Sequence, residues 1–393
     1  MKICIAGKNN IAVDCLEYSI KHVNKSEICV VLNKTENFKN SWQKSLGFYA
    51  NLWGIKVLTL EEVMEIEDLF FFSIEFDKII KPINFKTINL FNIHFSLLPE
   101  YKGMFTSVLP ILHGKNESGV TIHKIESGID TGEIIDQIKF DINGFSSRKL
   151  YECNLRVGLE LFKNNFTNLL SGNYFSVSQQ SLNSSYFSKH SIDFKEIDIN
   201  INSTAFQISN FVRAFNFRVY QMAKYKNKSI TKVAITGNKS IYKPGTLIQN
   251  GIDSVRLATI DFDVVLFFDF YDDLIFYCKH DLLQEAEKII DFVDDINETN
   301  LNGWTPIIIA SYFGSLNILK LLLSKGVDIN STNLNKTTVL MYACSNYENH
   351  KNLSIIEYLL NMNADVYRKD IHGLTIFDYC KNKEVIKLLN KFK

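Results

Sequence analysis

Three side chains stand out for the chemistry they could do together. Asn92 and His94 lie two apart in Phe91-Asn92-Ile93-His94, and residues two apart in an extended strand project to the same face. Asp130 lies in Ser127-Gly128-Ile129-Asp130-Thr131-Gly132, where flanking glycines permit a tight loop that presents one carboxylate. An amide, an imidazole and a carboxylate form a set suited to acyl transfer. The amide donates to a developing oxyanion, the imidazole handles a proton, and the carboxylate orients the imidazole and tunes it. Taken singly, each has a plainer reading: a histidine at a strand end is often a hydrogen-bonded structural group, and Asp between glycines often caps a turn. His113 and His123 have no comparable company in the sequence and stay outside the set.

Such a set needs a sheet to hold it. Over the first 145 or so residues, short β-branched or apolar runs at Lys2–Ala6, Ile28–Leu32, Lys56–Thr59, Leu69–Ser73 and Asn89–His94 alternate with helix-length stretches such as Ile11–His22 and Asn40–Trp53. That alternation predicts an α/β unit with a mostly parallel sheet and helices on both faces. Val120–Ile125 and Glu133–Ile142 read as strands at the far end of that sheet. Asn92 and His94 then fall at the carboxyl end of a strand, where open α/β sheets place their sites. The first strand runs into Ala6-Gly7-Lys8-Asn9-Asn10. One glycine there is too few for the dinucleotide fingerprint, which disfavours a nicotinamide or flavin dehydrogenase.

Residues 146–168 predict a long helix, followed by a polar stretch from Ser171 to Ser185. Ile208, Phe211, Val212 and Phe215 recur at helical spacing, and residues 229–268 alternate like strands punctuated by Pro244-Gly245 and Asn250-Gly251, a small β-rich appendage. The remainder repeats itself. Asn300-Leu301-Asn302-Gly303-Trp304-Thr305-Pro306 recurs from Asn333 and more loosely from Asp370, and the extra residues of the longer unit fall in Tyr347–Asn352. The pattern Thr305-Pro306, Ala310, Gly314, Leu321-Leu322 and Gly326 resembles the ankyrin repeat, in which each helix pair buries its apolar face only by stacking on a neighbour. The expected division is a catalytic domain over 1–200, a helix with the β-rich appendage and possible dimerisation region over 201–268, and ankyrin repeats over 269–393. Ankyrin arrays serve recognition, so Trp304 is a candidate ligand contact for a protein or a nucleotide; its alternative is to cover the neighbouring repeat.

Composition bounds the partners. The 393 residues carry 43 basic and 43 acidic side chains, which argues against a nucleic-acid binder and gives no polybasic signal for a membrane surface. The balance hides unlike parts: from Tyr271 onward there are 13 basic and 16 acidic residues, leaving a modest positive excess in the first 270. No apolar run reaches membrane-spanning length, and the N-terminus reads as a strand rather than a signal peptide. The seven cysteines are scattered without a CxxC pair, so buried reduced thiols in a cytoplasmic protein are expected, with no metal site.

The combined pattern NxHxSLLPxYKG over 92–103 and GVTIHxIxxGxDxG over 119–132 resembles the formyltransferases that use 10-formyltetrahydrofolate. The resemblance implies a Rossmann-like catalytic domain and assigns Asn92, His94 and Asp130 as the catalytic trio. Asn92 and His94 would then stabilise the oxyanion, with His94 or a water accepting the amine proton. It also implies a pterin site near Phe72-Ser73-Ile74-Glu75-Phe76-Asp77, with Phe72, Ile74, Phe76 and Ile125 as cofactor contacts, although that loop departs from the commoner pattern. Within the family, Asn9-Asn10, the run Arg213 to Gln221, Pro244-Gly245-Thr246 and the ankyrin tail make the chain most similar to the nucleotide-sugar branch. That implies a dTDP-amino-dideoxyhexose substrate, 3-amino-3,6-dideoxyglucose favoured, for surface polysaccharide (O-antigen) synthesis, and a homodimer. Asn9, Lys78, Met104, Thr106, Arg213 and Tyr220 are the expected sugar-side residues. A 4-amino sugar, or an ankyrin binding module on a retained scaffold, are the alternatives.

Overall fold

The computed structural model describes residues 1–179 and 183–392 and resolves into two compact units, Met1–Lys39 with Lys44–Phe267, and Asn40–Gln43 with Phe268–Lys393. In the first unit, β1 (Lys2–Gly7), β2 (Ile28–Leu32), β3 (Lys56–Val57), β4 (Leu69–Ile74), β5 (Leu90–His94), β7 (Glu117–Lys124) and β8 (Ile134–Asp141) form one sheet in the order β3-β2-β1-β4-β5-β7-β8. The first five pair in parallel, whereas β5–β7 and β7–β8 are antiparallel. Helices α1 (Asn9–His22), α2 (Leu46–Trp53), α3 (Leu60–Met64), α4 (Leu109–Leu112), α5 (Ser147–Ser171) and α6 (Ala205–Ala214) complete the α/β framework expected from the alternation.

Two expected elements are shorter than their hydrophobic patterns suggest, and side-chain caps explain both. The helix expected from Asn40 begins only at Leu46, because Ser45 accepts the Phe48 N–H and fixes the start. The strand expected to reach Thr59 stops at Val57, because Thr59 and Glu62 form a capping box that opens α3. Of the polar stretch 171–185, Ser171 still belongs to α5, which Gly172 caps, and residues 180–182 lie outside the described residues.

The sheet has two distinct faces. Phe72 stacks on Phe91 (5.4 Å) and meets Phe162 of α5 edge-on (5.2 Å), so these alternate positions face the long helix. The opposite face carries Cys4, Ala6, Phe71 and Leu90, with Phe76 and Ile125 packed partly buried against them. Because β1 lies between β2 and β4, the strand order reverses there and leaves a crevice at the carboxyl ends of β1 and β4, the usual ligand position in such sheets. The two strands approach closely at that crevice: a Cβ on Gly7 would sit 1.8 Å from the Ile74 carbonyl oxygen.

A short parallel pair joins β6 (Lys102–Gly103) to β9 (Tyr186–Phe187). The appendage has β10 (Asn216–Phe217) paired with β11 (Gln221–Met222), and a five-stranded sheet of β12 (Lys224–Tyr225), β13 (Lys228–Lys239), β14 (Leu247–Asn250), β15 (Ser254–Leu257) and β16 (Phe262–Phe268).

The second unit is helical. It stacks α7 (Tyr271–His280) and α8 (Leu283–Ile289), then α9 (Pro306–Phe313) and α10 (Leu316–Ser324), then α11 (Val339–Ser345) and α13 (Leu353–Asn361), then α14 (Ile376–Tyr379) and α15 (Lys383–Leu389). The expected insertion in the longer repeat is the one-turn helix α12 (Tyr347–His350). Neighbouring repeats share one core through Ile307, Leu319, Leu340, Ile355 and Leu389, and the buried Ser311 hydroxyl donates across a repeat boundary to the Val339 carbonyl (2.7 Å).

Gly7→Ala would force β1 and β4 apart at the crevice, and overpacking of backbone against backbone costs about 1–3 kcal/mol. Urea unfolding should show a loss of that size; a loss below about 0.5 kcal/mol would mean the close approach is not maintained in solution.

Candidate active site

Asn92 and His94 end β5, and the antiparallel register places His123 of β7 directly opposite Asn92. The loop after β7 returns Asp130 to the same point, at φ +53°, with its side chain only 13% exposed. Gln179 holds that loop by donating from Nε2 to the carbonyls of Asp130 and Gly132, both at 2.8 Å.

The Asp130 carboxylate is then surrounded by donors and rings. The Gly103 N–H donates to Oδ2 at 2.9 Å and Asn92 Nδ2 donates to Oδ1 at 3.2 Å. His94 Nδ1 and His123 Nε2 each lie 3.5 Å from one of its oxygens. The Gly103 contact requires glycine: φ is +86°, and a Cβ would sit 2.2 Å from the Phe187 carbonyl oxygen.

The bond pattern fixes the tautomers. His94 Nε2 lies 2.8 Å from the Tyr101 carbonyl, which only accepts, so Nε2 carries a proton and Nδ1 is the atom open to a second one. His123 Nδ1 lies 2.7 Å from the Lys124 carbonyl, so its Nε2 accepts from Asn92 Nδ2 at 3.2 Å. Both amide protons of Asn92 are therefore engaged, but at 3.2 Å each bond is long and a stronger acceptor can draw one away. Burial pushes the His94 imidazolium down, against the opposing pull of Asp130 and the Tyr101 carbonyl, and the ring titrates below its ordinary value. Burial alone would raise Asp130, yet the nearby His94 and His123 rings and the Gly103 N–H together hold its carboxyl far below the usual range. Asp130 is a fixed anion beside an imidazole that can accept a proton at Nδ1.

His123 is the member that the sequence reading leaves out. It gains its company only through the antiparallel ladder, and the signal was its place in GVTIH, a strand that must lie beside β5. His113 stays apart, its Nδ1 3.2 Å from the Tyr101 hydroxyl and its ring against Phe187.

The proposed cofactor contacts divide by strand parity. Phe72 is 1% exposed beneath α5 and Ile74 is fully buried, so neither can present a surface to a ligand. Alternation along β4 turns both inward, which corrects the expectation for these two. Phe76 and Ile125 instead lie partly buried on the face that carries Leu90, and hence on the side to which Asn92 and His94 project. This apolar floor on the same face of the sheet suits a flat ring system.

Among the proposed sugar-side residues, Asn9 opens α1 at φ +65° and donates from Nδ2 to Glu75 Oε2 (3.1 Å) at the β1/β4 crevice. Met104 is exposed directly after Gly103, Thr106 is partly buried in the following turn, and Lys78 is exposed beyond β4. Tyr220, largely exposed, packs edge-on against Phe217 (4.8 Å), which in turn meets Tyr151 (5.5 Å). Arg213 braces the scaffold, donating to the Phe145 carbonyl (3.1 Å) and Asn210 Oδ1 (2.5 Å). Its guanidinium is held in the fold by these bonds, so the structure gives it a structural role. In the helical unit, Trp304 packs on Tyr312 (5.0 Å) and Tyr342 (4.9 Å) and is partly exposed.

Among the described residues, no group of three or more His, Cys, Asp or Glu side chains could hold a metal ion, and no helix is long and apolar enough to cross a membrane.

Comparisons with known proteins bear on this site. A family model described as formyl transferase matches residues 74–155, and one for ankyrin repeats (3 copies) matches residues 274–370. The crystal structure of WlaRD, a sugar 3N-formyl transferase in the presence of dTDP and 5-N-formyl-THF, is 43% identical over 68% of this chain and 97% of its own, with a TM-score of 0.64. The N-formyltransferase from Helicobacter canadensis, in complex with folinic acid and dTDP-3-aminofucose, is 44% identical over 68% of this chain and 99% of its own, also at 0.64. Methionyl-tRNA formyltransferase of Clostridioides difficile (strain 630) is 26% identical over 66% of this chain and 89% of its own.

The electrostatics give a direct test. By NMR the His94 ring should titrate below the ordinary imidazole value of about 6.5. In Asp130→Asn its midpoint should fall further, because the charge that favours the imidazolium is gone. A midpoint that rises would contradict the arrangement.

Proposed function

As the chain belongs to the sugar N-formyltransferases, we propose that it moves the formyl group of 10-formyltetrahydrofolate to the 3-amino group of a dTDP-linked 3-amino-3,6-dideoxyhexose. The observation that carries this reading is 43–44% identity along nearly the whole of two enzymes described with dTDP or dTDP-3-aminofucose and a formylated folate. The local chemistry supports it: the Asn92, His94 and Asp130 geometry suits acyl transfer to an amine, and Phe76 and Ile125 form an apolar floor on the same face of the sheet. A 4-amino sugar is the second reading, since the catalytic set is indifferent to which ring carbon bears the amine.

The folate supplies the activated formyl group; this chain's residues do the rest. Phe76 and Ile125 flank the ring system on the Leu90 face of the sheet. Asn92 releases one of its two long hydrogen bonds and donates to the formyl oxygen as negative charge gathers there. His123 keeps the amide oriented through the other. His94 takes the proton lost by the attacking amine at Nδ1, the Asp130 anion stabilises the imidazolium that results, and the same proton passes to the folate N10 as its bond to the formyl carbon breaks and tetrahydrofolate leaves. Gly103 fixes Asp130 from behind.

The product is proposed to feed a surface polysaccharide, the enzyme working in the cytoplasm as a homodimer. Exposed Ile235, Ile241, Ile252 and Ile260 support the β-rich appendage as the pairing surface. Trp304, partly exposed on its aromatic cluster, is the proposed ligand contact of the ankyrin array.

Incubation with 10-formyltetrahydrofolate and a panel of dTDP-amino sugars, followed by mass and NMR analysis, should reveal a formamide at C3. No formamide from any sugar would remove the reading, and one formed only at C4 would favour the second. Asn92→Ala should lower kcat by about a hundredfold, as loss of one oxyanion donor does; near-normal turnover would show that Asn92 is not that donor.

A further inference from the structure

Glu75 follows β4 at the crevice where the strand order reverses, one residue beyond the last β4–β5 pair, Ile74 with Ile93. Its backbone is therefore level with His94 on the next strand. The φ of Glu75 is +54° and that of Asn9, facing it from the end of β1, is +65°. Left-handed backbone at a non-glycine residue costs on the order of 1 kcal/mol or more, and here two such residues oppose each other across one crevice.

The turn at Glu75 breaks the strand alternation and carries its carboxylate over the carboxyl edge of the sheet, toward α1 and α5. There Tyr151 of α5 donates from its hydroxyl to both carboxylate oxygens at 3.0 Å, and Asn9 Nδ2 donates to Oε2 and to the Tyr151 oxygen, both at 3.1 Å. Asn33 Nδ2 fixes the backbone by donating to the Glu75 carbonyl at 2.9 Å. This cluster lies on the α5 side of the edge, whereas Asn92 and His94 project to the Phe76 and Ile125 side.

The arrangement is costly as structure alone. Burial raises the Glu75 carboxyl to about 6, against the lowering effects of the nearby Lys8 and the bonds from Asn9 and Tyr151; Tyr220 is the other titratable group that feels it. A carboxyl raised in this way stabilises the fold below its unfolded value of about 4.3, and that contribution is lost as pH rises through about 6. At neutral pH the protein thus holds an anion that it would fold more readily without. An ionised carboxylate accepts about four hydrogen bonds. Among the described residues two groups donate to this one, and Glu75 remains partly solvent-accessible. The aromatic series of Tyr151, Phe217 and Tyr220 walls the same place. An anion beside aromatic rings repels a pyrophosphate but suits a sugar ring, whose hydroxyls donate and whose C–H face packs on aromatic surface.

We propose that Glu75, held by Asn9 and Tyr151, is the residue that reads the hexose of the nucleotide sugar, accepting hydrogen bonds from its ring hydroxyls at the β1/β4 crevice. The proposal rests on the nucleotide-sugar reading given above. It makes Glu75 a specificity-determining group, separate from the dTDP moiety and from the formyl donor.

Steady-state kinetics on the full chain test it. Glu75→Gln should raise the KM for the dTDP-amino sugar about tenfold, the loss expected for a hydrogen bond to a charged group. The inhibition constant of dTDP alone and the KM for the formyl donor should not change. The melting temperature at pH 8 should equal or exceed that of the unaltered protein, because a neutral amide replaces a buried charge. Tyr151→Phe should show the same pattern severalfold more weakly. An unchanged sugar KM in Glu75→Gln would overturn the proposal. So would a parallel rise in the sugar KM and the dTDP constant with a lowered melting temperature, the signature of a structural role. Failure of the unaltered chain to formylate any dTDP-amino sugar would instead strike the underlying function, and is read before any variant is compared.

Discussion

The site depends on one nearly buried carboxylate. Removing an ionised group from water costs several kcal/mol unless partners replace the solvent, and Asp130 has its partners on every side: a backbone N–H, an amide and two imidazoles. These come from β5, β6 and β7, so all three segments must be in place before the charge can be accommodated. Gly103, in a left-handed conformation with no room for a Cβ, supplies the shortest of these bonds. The same charge sets the chemistry, because it is what makes a buried imidazole willing to accept a proton.

The sheet edge separates two tasks. On the Leu90 side, Phe76 and Ile125 leave an apolar floor on the face to which His94 projects. On the α5 side, Asn9, Glu75 and Tyr151 form a polar cluster at the strand-order reversal. Asn92 and His94 stand at the end of the strand between them, where a donor and an acceptor would meet under the proposed assignment of the two sides. The antiparallel addition of β7 to a parallel sheet is what puts His123 against Asn92; a parallel neighbour in that place would have fed its chain in from the opposite end.

Much of this was legible in the sequence, and the exceptions have physical causes. Period-two spacing paired Asn92 with His94, glycine spacing marked Asp130, and the repeat in the last third exposed the helical array because stacked units must present the same faces. His123 was missed because strand register is a long-range property that no local pattern encodes. Phe72 and Phe76 could not be told apart by type; the parity of β4 buries the first beneath α5, and the left-handed turn at Glu75 leaves the second on the other face. Glu75 itself looked like one more residue of a cofactor loop, since a positive φ at a glutamate has no sequence signature. The helix start near Asn40 failed for a local reason: the Ser45 cap outweighs a hydrophobic pattern that begins earlier.

The most direct test of the account is the turnover of Asp130→Asn, an isosteric change that removes the charge and keeps the shape. If this carboxylate organises the site, kcat should fall by a hundredfold or more, while the KM values for the formyl donor and the dTDP-amino sugar stay within about threefold and the protein remains folded. A kcat within about threefold of the unaltered enzyme would contradict the account at its centre.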